Sequence, residues 1–185
     1  PVRSAVDLVR WQDFADMTED LFDRLARDAL AQAREAAATQ GFFSAEVDLA
    51  VDRATRPATA TLTIAAGPRT RITEVTIDVT GPARDEPPGP AVLARIRDEW
   101  LLPLDAEFRQ QTWTAAKRRS VATPAASPFA AATLAASEAR IDPAAQSAAL
   151  SVTLDSGPAF RFGAIEVRGL ERYSAEMVRH FSSFR

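Results

Sequence analysis

The sequence holds 185 residues, 46% of them hydrophobic, 25% charged and 8% aromatic, which suits one ordinary domain or two small ones with their own cores and excludes disorder as the main state. A formal net charge of -3 provides no clustered basic face for phosphate backbones, so nucleic acid is not an expected partner. Zero cysteines exclude thiolate metal sites, disulfide frameworks and cysteine nucleophiles, and every apolar run is broken by charge or proline well short of the roughly twenty residues a membrane-crossing helix needs.

The chain opens at Pro1 without a charged n-region or apolar h-region and stops at Phe184-Arg185 inside an amphipathic pattern, so it reads as an internal fragment. From Leu21 to Gln40 the apolar residues Leu21, Phe22, Leu25, Ala29, Leu30, Ala33, Ala36 and Ala37 fall three or four apart, which predicts a helix. Gly41 is placed to end it. Over Glu46 to Asp52 the period drops to two, with Val47, Leu49 and Val51 on one face and Glu46, Asp48, Ala50 and Asp52 on the other, and Thr59 to Ala65 alternates again after a turn-prone stretch. These two runs predict a hairpin. Arg71 to Val79 predicts a third strand, with Val75, Ile77 and Val79 inward.

Gly81-Pro82 and Glu86-Pro87-Pro88-Gly89-Pro90 predict a loop that is neither helix nor central strand. Helix signals return over Ala91 to Trp100 and from about Glu107 to Val121, with Pro124 and Pro128 as the expected stops. The alanine-rich stretch Ala130 to Ile141 is expected as a weak strand, followed by a turn at Asp142-Pro143 and an alternating strand over Ala148 to Asp155 with Leu150, Val152 and Leu154 inward. A further strand is expected over Phe160 to Arg168 and a helix from about Ala175.

Two segments of the chain match in pattern. Gly67-Pro68-Arg69-Thr70-Arg71-Ile72-Thr73-Glu74-Val75-Thr76-Ile77 and Gly157-Pro158-Ala159-Phe160-Arg161-Phe162-Gly163-Ala164-Ile165-Glu166-Val167 each carry Gly-Pro, an arginine four residues after the glycine, an apolar residue, two spacers and a pair of β-branched residues two apart. Each also follows a helix that ends near an aromatic, Phe43 or Phe129, and then two strands. The unit is about ninety residues long, the size of a small domain, and reads strand, helix, helix, strand, strand.

That order, with Gly41-Phe42-Phe43-Ser44-Ala45-Glu46-Val47 before the hairpin and Gly-Pro into the next unit, resembles the polypeptide-transport-associated (POTRA) domain of the BamA and TamA superfamily of outer-membrane proteins, and Arg161-Phe162-Gly163 looks most like the TamA branch. The second copy departs from the pattern, with Ser127-Pro128-Phe129 in place of Gly-aromatic-Phe. The resemblance implies an α+β fold of tandem POTRA domains, each β-α-α-β-β with a three-stranded mixed sheet and two helices on one face. On it, residues 1–69 form a first domain lacking its opening strand, 70–158 a complete second, and 159–185 the start of a third. It implies a scaffold at the periplasmic face of the outer membrane that receives outer-membrane protein clients and a periplasmic or inner-membrane-anchored partner by β-augmentation, with a C-terminal barrel in the full-length chain. It also implies that the hairpin's first strand, Glu46, Val47, Asp48, Leu49, Ala50, Val51 and Asp52, is the edge to which a partner adds.

Catalytic chemistry has little to work with. His180 is the one histidine, without a second histidine or a carboxylate at metal spacing, and reads as a solvent-facing helical residue. Asp85-Glu86 and Glu19-Asp20 fit solvation and helix starts better than acid–base work, so no catalytic, cofactor or metal residue is assigned. Gly67-Pro68 and Gly157-Pro158 precede strands, so they read as short stiff joints and not as phosphate cradles. Arg71 and Arg161 share a repeat position from which each could pair a carboxylate across its joint. Trp11, Trp100 and Trp113 lie at helical spacing from other apolar residues and are expected in the core. Two other functions remain open: the POTRA region of a two-partner-secretion transporter, and an α+β enzyme of unrelated family.

Overall fold

The computed structural model describes residues 2–14, 16–54, 58–161 and 163. The strand expected over 160–168, the helix expected from Ala175, and His180 lie almost wholly outside them. In chain order the elements are α1 (Val2–Ala5), α2 (Asp7–Arg10), α3 (Glu19–Thr39), β1 (Glu46–Asp52), β2 (Thr59–Ala65), β3 (Arg71–Thr80), a 3-10 turn (Pro82–Arg84), α4 (Gly89–Asp98), α5 (Gln110–Ala125), β4 (Thr133–Asp142) and β5 (Ser147–Asp155).

The class is α+β, with two sheets. β1 and β2 make an antiparallel pair, and β3, β5 and β4 make a mixed three-stranded sheet in that order, β3 running parallel to β5 and β4 antiparallel to it. A parallel neighbour requires a crossover, and α4 and α5 provide it. Central β5 buries Ala148, Leu150, Val152 and Leu154 on one face, and these form one core with Ile72, Ile77, Ile96 of α4, Leu102, Phe108 and Trp113 of α5. Both helices therefore cover the same face. Ile72 and Val75 share that face despite odd spacing because the register slips between Ile72 and Glu74, a bulge that absorbs one residue. The two spacers in the repeated motif correspond to it in this copy.

α3 starts at Thr18, whose hydroxyl accepts the Leu21 N–H at 3.2 Å, an ordinary N-cap. It ends at Gly41, φ +91°, where the Gly41 N–H donates to Ala38 O at 2.9 Å and the Phe42 N–H to Ala37 O at 3.1 Å, the paired closure that a left-handed residue makes possible. Its Ala29 and Ala33 pack on Val47, and Val6, between α1 and α2, completes this smaller core. Asp7 and Gln32 clip α2 to α3 through reciprocal bonds of 2.8 Å.

Several expectations need correction. α1 and α2 were not foreseen, being single turns with no periodicity to read. Trp11 is not core: it is 43% exposed in the turn after α2, edge-on to Phe14, whereas Trp113 is buried and Trp100 meets it edge to face. Part of the proline-rich loop is helical, because Pro82 opens a 3-10 turn and Pro90 occupies the first turn of α4, where a missing N–H costs nothing. Glu107 lies in an extended segment bridged to Arg71, so α5 begins three residues later than expected. Pro124 lies inside α5; it is buried within the last turn, where the helix loses one bond and ends a residue later. β4 starts at Thr133, three residues inside the stretch expected for it.

Candidate edge strands and the joint between the sheets

The sequence places Val47, Leu49 and Val51 on one face of β1, and burial falls along that face. Val47 is buried beneath α3, Leu49 half-buried and Val51 38% exposed. Glu46, Asp48, Ala50 and Asp52 all face solvent, and Asp52 Oδ1 accepts the Ala54 N–H at 2.9 Å. Pairing is Asp48 with Thr63 and Ala50 with Thr61. On the far side of the strand no described residue forms a ladder with β1.

Arg34, on α3, donates from Nη2 to Val47 O at 3.3 Å. In an antiparallel pair each residue turns its N–H and C=O to the same side and successive residues alternate. With the Val47 carbonyl taken by a side chain, the outward set is Val47, Leu49 and Val51, and the set bonded to β2 is Glu46, Asp48, Ala50 and Asp52. Arg34 thus occupies one outward acceptor and leaves the edge groups of Leu49 and Val51.

β4 holds the corresponding place in the three-stranded sheet. It is the first strand of its hairpin, it lies outermost, and it is almost wholly exposed along ten residues. Its alanines blur the alternation that would mark an edge strand in the sequence. A register slip between Leu134 and Ala136 interrupts it near its start, one of the devices that blunt an edge. The outer edge of β3 is covered at its start: Phe108 N–H donates to Thr70 O, Ile72 N–H to Ala106 O and Asp105 N–H to Ile72 O.

The joints repeat in space. Gly67 and Gly157 both adopt left-handed backbone, φ +66° and +59°, which glycine reaches without strain. Thr70 N–H donates to Gly41 O at 2.9 Å, and Phe160 N–H to Pro128 O at 2.6 Å. The space beside Gly67 is closed by Ser44 and that beside Gly157 by Ala131. These pairs align Gly41 with Pro128 and Phe42 with Phe129, one residue off the alignment by sequence, because the second copy has one more residue between helix and strand.

The cross-joint arginine is Arg69. Its Nη1 donates to Glu107 Oε2 at 2.5 Å and its guanidinium lies 4.8 Å from the Phe42 ring centre, while Phe43 packs on Phe108 with ring centres 5.5 Å apart. Arg71 instead bonds Asp105 O at 2.7 Å and pairs with its carboxylate at 3.4 Å, within the same unit. Arg161 is exposed. Gly67 and Pro68 lie between β2 and β3, and Gly157 and Pro158 follow β5, ahead of residues outside the described ones; Arg69, which bonds Glu107 across the link between the two sheets, was legible only as a basic residue beside a proline.

Titration is shifted at Glu99. Hydrogen bonds from Arg95 and then Arg119 hold its carboxyl below the ordinary glutamate range. Glu99 links α4 to α5. Among the described residues no group of three or more His, Asp or Glu side chains converges as a metal site, and no helix is long and apolar enough to cross a membrane.

No protein-family model matches the sequence, and no curated protein does. Among solved structures, Haemophilus influenzae BamA POTRA3-5 is similar at a TM-score of 0.44 and 15% identity, over 83% of this chain and 59% of that one. BamA from Haemophilus ducreyi lacking POTRA domains 1-3 is similar at 0.42 and 14%, over 83% of this chain and 26% of that one. The chain thus spans less than two thirds of either structure. The strand order and the matching backbone contacts after Gly67 and Gly157 are properties of this chain itself.

Proposed function

We propose that the chain is a tandem POTRA module, a scaffold of an outer-membrane protein assembly or translocation factor on the periplasmic side, which takes up extended client segments by strand addition. The observation that supports this reading is the recurrence of one device: in each sheet an antiparallel hairpin follows a long helix, and its first strand, β1 or β4, has one side unpaired by any described strand, as β2 also has in the two-stranded sheet. Strand addition draws its affinity from main-chain hydrogen bonds and so tolerates many client sequences. In the smaller sheet both strands are edges, and β1 is set apart from β2 by Glu46, Asp48 and Asp52 on its exposed face, charges that discourage indiscriminate pairing and leave the backbone available.

The test is a proline at Val51, whose N–H belongs to the outward set, set against a proline at Asp48, whose N–H bonds β2. Val51→Pro should leave the hairpin folded by NMR and weaken binding of extended peptides with alternating apolar residues. Asp48→Pro should disrupt the hairpin itself. Undiminished peptide binding by a folded Val51→Pro variant would remove β1 as the docking edge, and the same experiment at β4 would then decide whether strand addition occurs at all.

A further inference from the structure

From Phe108 to Ser137 the chain carries Arg109, Lys117, Arg118 and Arg119 and no acidic residue, in a protein with a formal net charge of -3. Three of the four lie on α5. An open groove of about 850 Å³ runs between α5 and the C-terminal end of α3. Gln111, Ala115, Arg118 and Ala122 line its α5 side at helical spacing, and Thr39 and Gln40 face them.

The other three cations are committed. Arg119 donates to Glu99 at 2.9 Å, and the Lys117 ammonium lies 5.0 Å from the Trp113 ring centre. Arg109 is 3.8 Å from Glu107. Arg118 is exposed, and its side chain forms no ion pair or hydrogen bond with any described residue. Its guanidinium therefore stands over a groove whose floor is kept low by two alanines.

We infer that this groove docks an acidic polypeptide segment of a partner, with a carboxylate seated on Arg118. A guanidinium fork takes a carboxylate through two parallel hydrogen bonds, and no acidic side chain lines the groove to repel such a segment. The side chains of Gln110 and Gln111 can donate to and accept from a peptide backbone. Leu101, 37% exposed at the groove, offers an apolar foothold that suits a side chain and not a phosphate head. No residue of the groove belongs to β1, so this inference and strand addition can fail separately.

The 185-residue chain would be titrated against a short fluorescein-labelled peptide of glutamates with a central leucine, against its lysine counterpart, and against phosphatidylglycerol vesicles. Fluorescence anisotropy should rise with the acidic peptide alone, and less so as salt is added. Arg118→Glu should weaken binding by about tenfold or more, and Arg140→Glu, on β4, should leave it unchanged. Ala115→Trp fills the groove without altering charge and should abolish binding, with amide shifts in the parent protein confined to Gln40, Gln111, Thr114 and Ala115. Absence of binding, equal binding by Arg118→Glu or Ala115→Trp, or capture of vesicles in place of the peptide would overturn the inference.

Discussion

At the scale of single residues, Gly41 and Gly67 have similar backbones and very different neighbours. A Cβ on Gly41 would lie 2.2 Å from Phe108 O, a main-chain atom, whereas on Gly67 the nearest atom is the Ser44 hydroxyl at 3.1 Å, a side chain that can turn away. Left-handed strain alone costs a non-glycine residue roughly 1–3 kcal/mol. Gly67→Ala should lose about that much in urea unfolding, and Gly41→Ala clearly more, since the Phe108 segment must also move; equal losses would show that the Phe108 main chain does not approach Gly41 as described. Glu99 provides a second test. Its pKa is lowered by bonds to Arg95 and Arg119, so the stabilisation it confers is full above the ordinary glutamate range and is lost as pH falls through the lowered value. An NMR titration should find the Glu99 midpoint below the ordinary glutamate value, and Arg119→Ala should move it back upward. An unmoved midpoint would assign the shift to Arg95 alone.

Among elements, strands with a covered face were the easiest to read. β1 and β2 match their sequence boundaries because Val47, Leu49, Leu62 and Ile64 alternate against polar neighbours and α3 lies over only one face. β5 is legible for the same reason, as every second residue enters the core. β4 is less so: it is an edge with little to bury, and its alanines favour helix by intrinsic propensity, so only its place in the sheet makes it a strand. The bonds of the joint were invisible in advance, since they run from Thr70 to Gly41 and from Phe108 to Thr70, between residues whose own types gave no reason to pair. The candidate site was legible in outline only. Periodicity could place β1, but it took the Arg34 bond to Val47 O to say which amides face outward, so a proline scan of β1 should alternate in effect. Substitutions at Asp48 and Ala50 should unfold the hairpin and those at Leu49 and Val51 should spare its ladder, Leu49 at some packing cost. A scan without alternation would contradict the ladder's phase.

Across the whole molecule, the two sheets differ in what they bury. The smaller one rests largely on Ala29, Ala33 and Val47, while the larger buries Ile72, Leu102, Phe108, Trp113, Leu150 and Leu154. A buried methyl contributes about 0.8 kcal/mol and a buried Leu, Ile or Phe side chain about 1.5–3 kcal/mol, so amides of β1 and β2 should exchange with solvent well before those of β5. Their relative orientation depends on the joint. The Arg69–Glu107 pair is about one-third exposed on both sides, and such pairs contribute only about 0–1 kcal/mol. The Arg69 guanidinium on Phe42 adds roughly 0.5–1 kcal/mol more. Glu107→Gln, which removes the charge and spares the stacking, should therefore loosen the joint less than Arg69→Ala, which removes both. Spin labels at Asp48 and Glu138, one on each edge strand, would measure this: a narrow distance distribution in the parent chain, slightly wider in Glu107→Gln and broad in Arg69→Ala. If Arg69→Ala leaves the distribution narrow while the protein remains folded, the backbone bonds of Gly41, Thr70 and Phe108 hold the two sheets without the arginine, and the joint's stiffness belongs to the main chain.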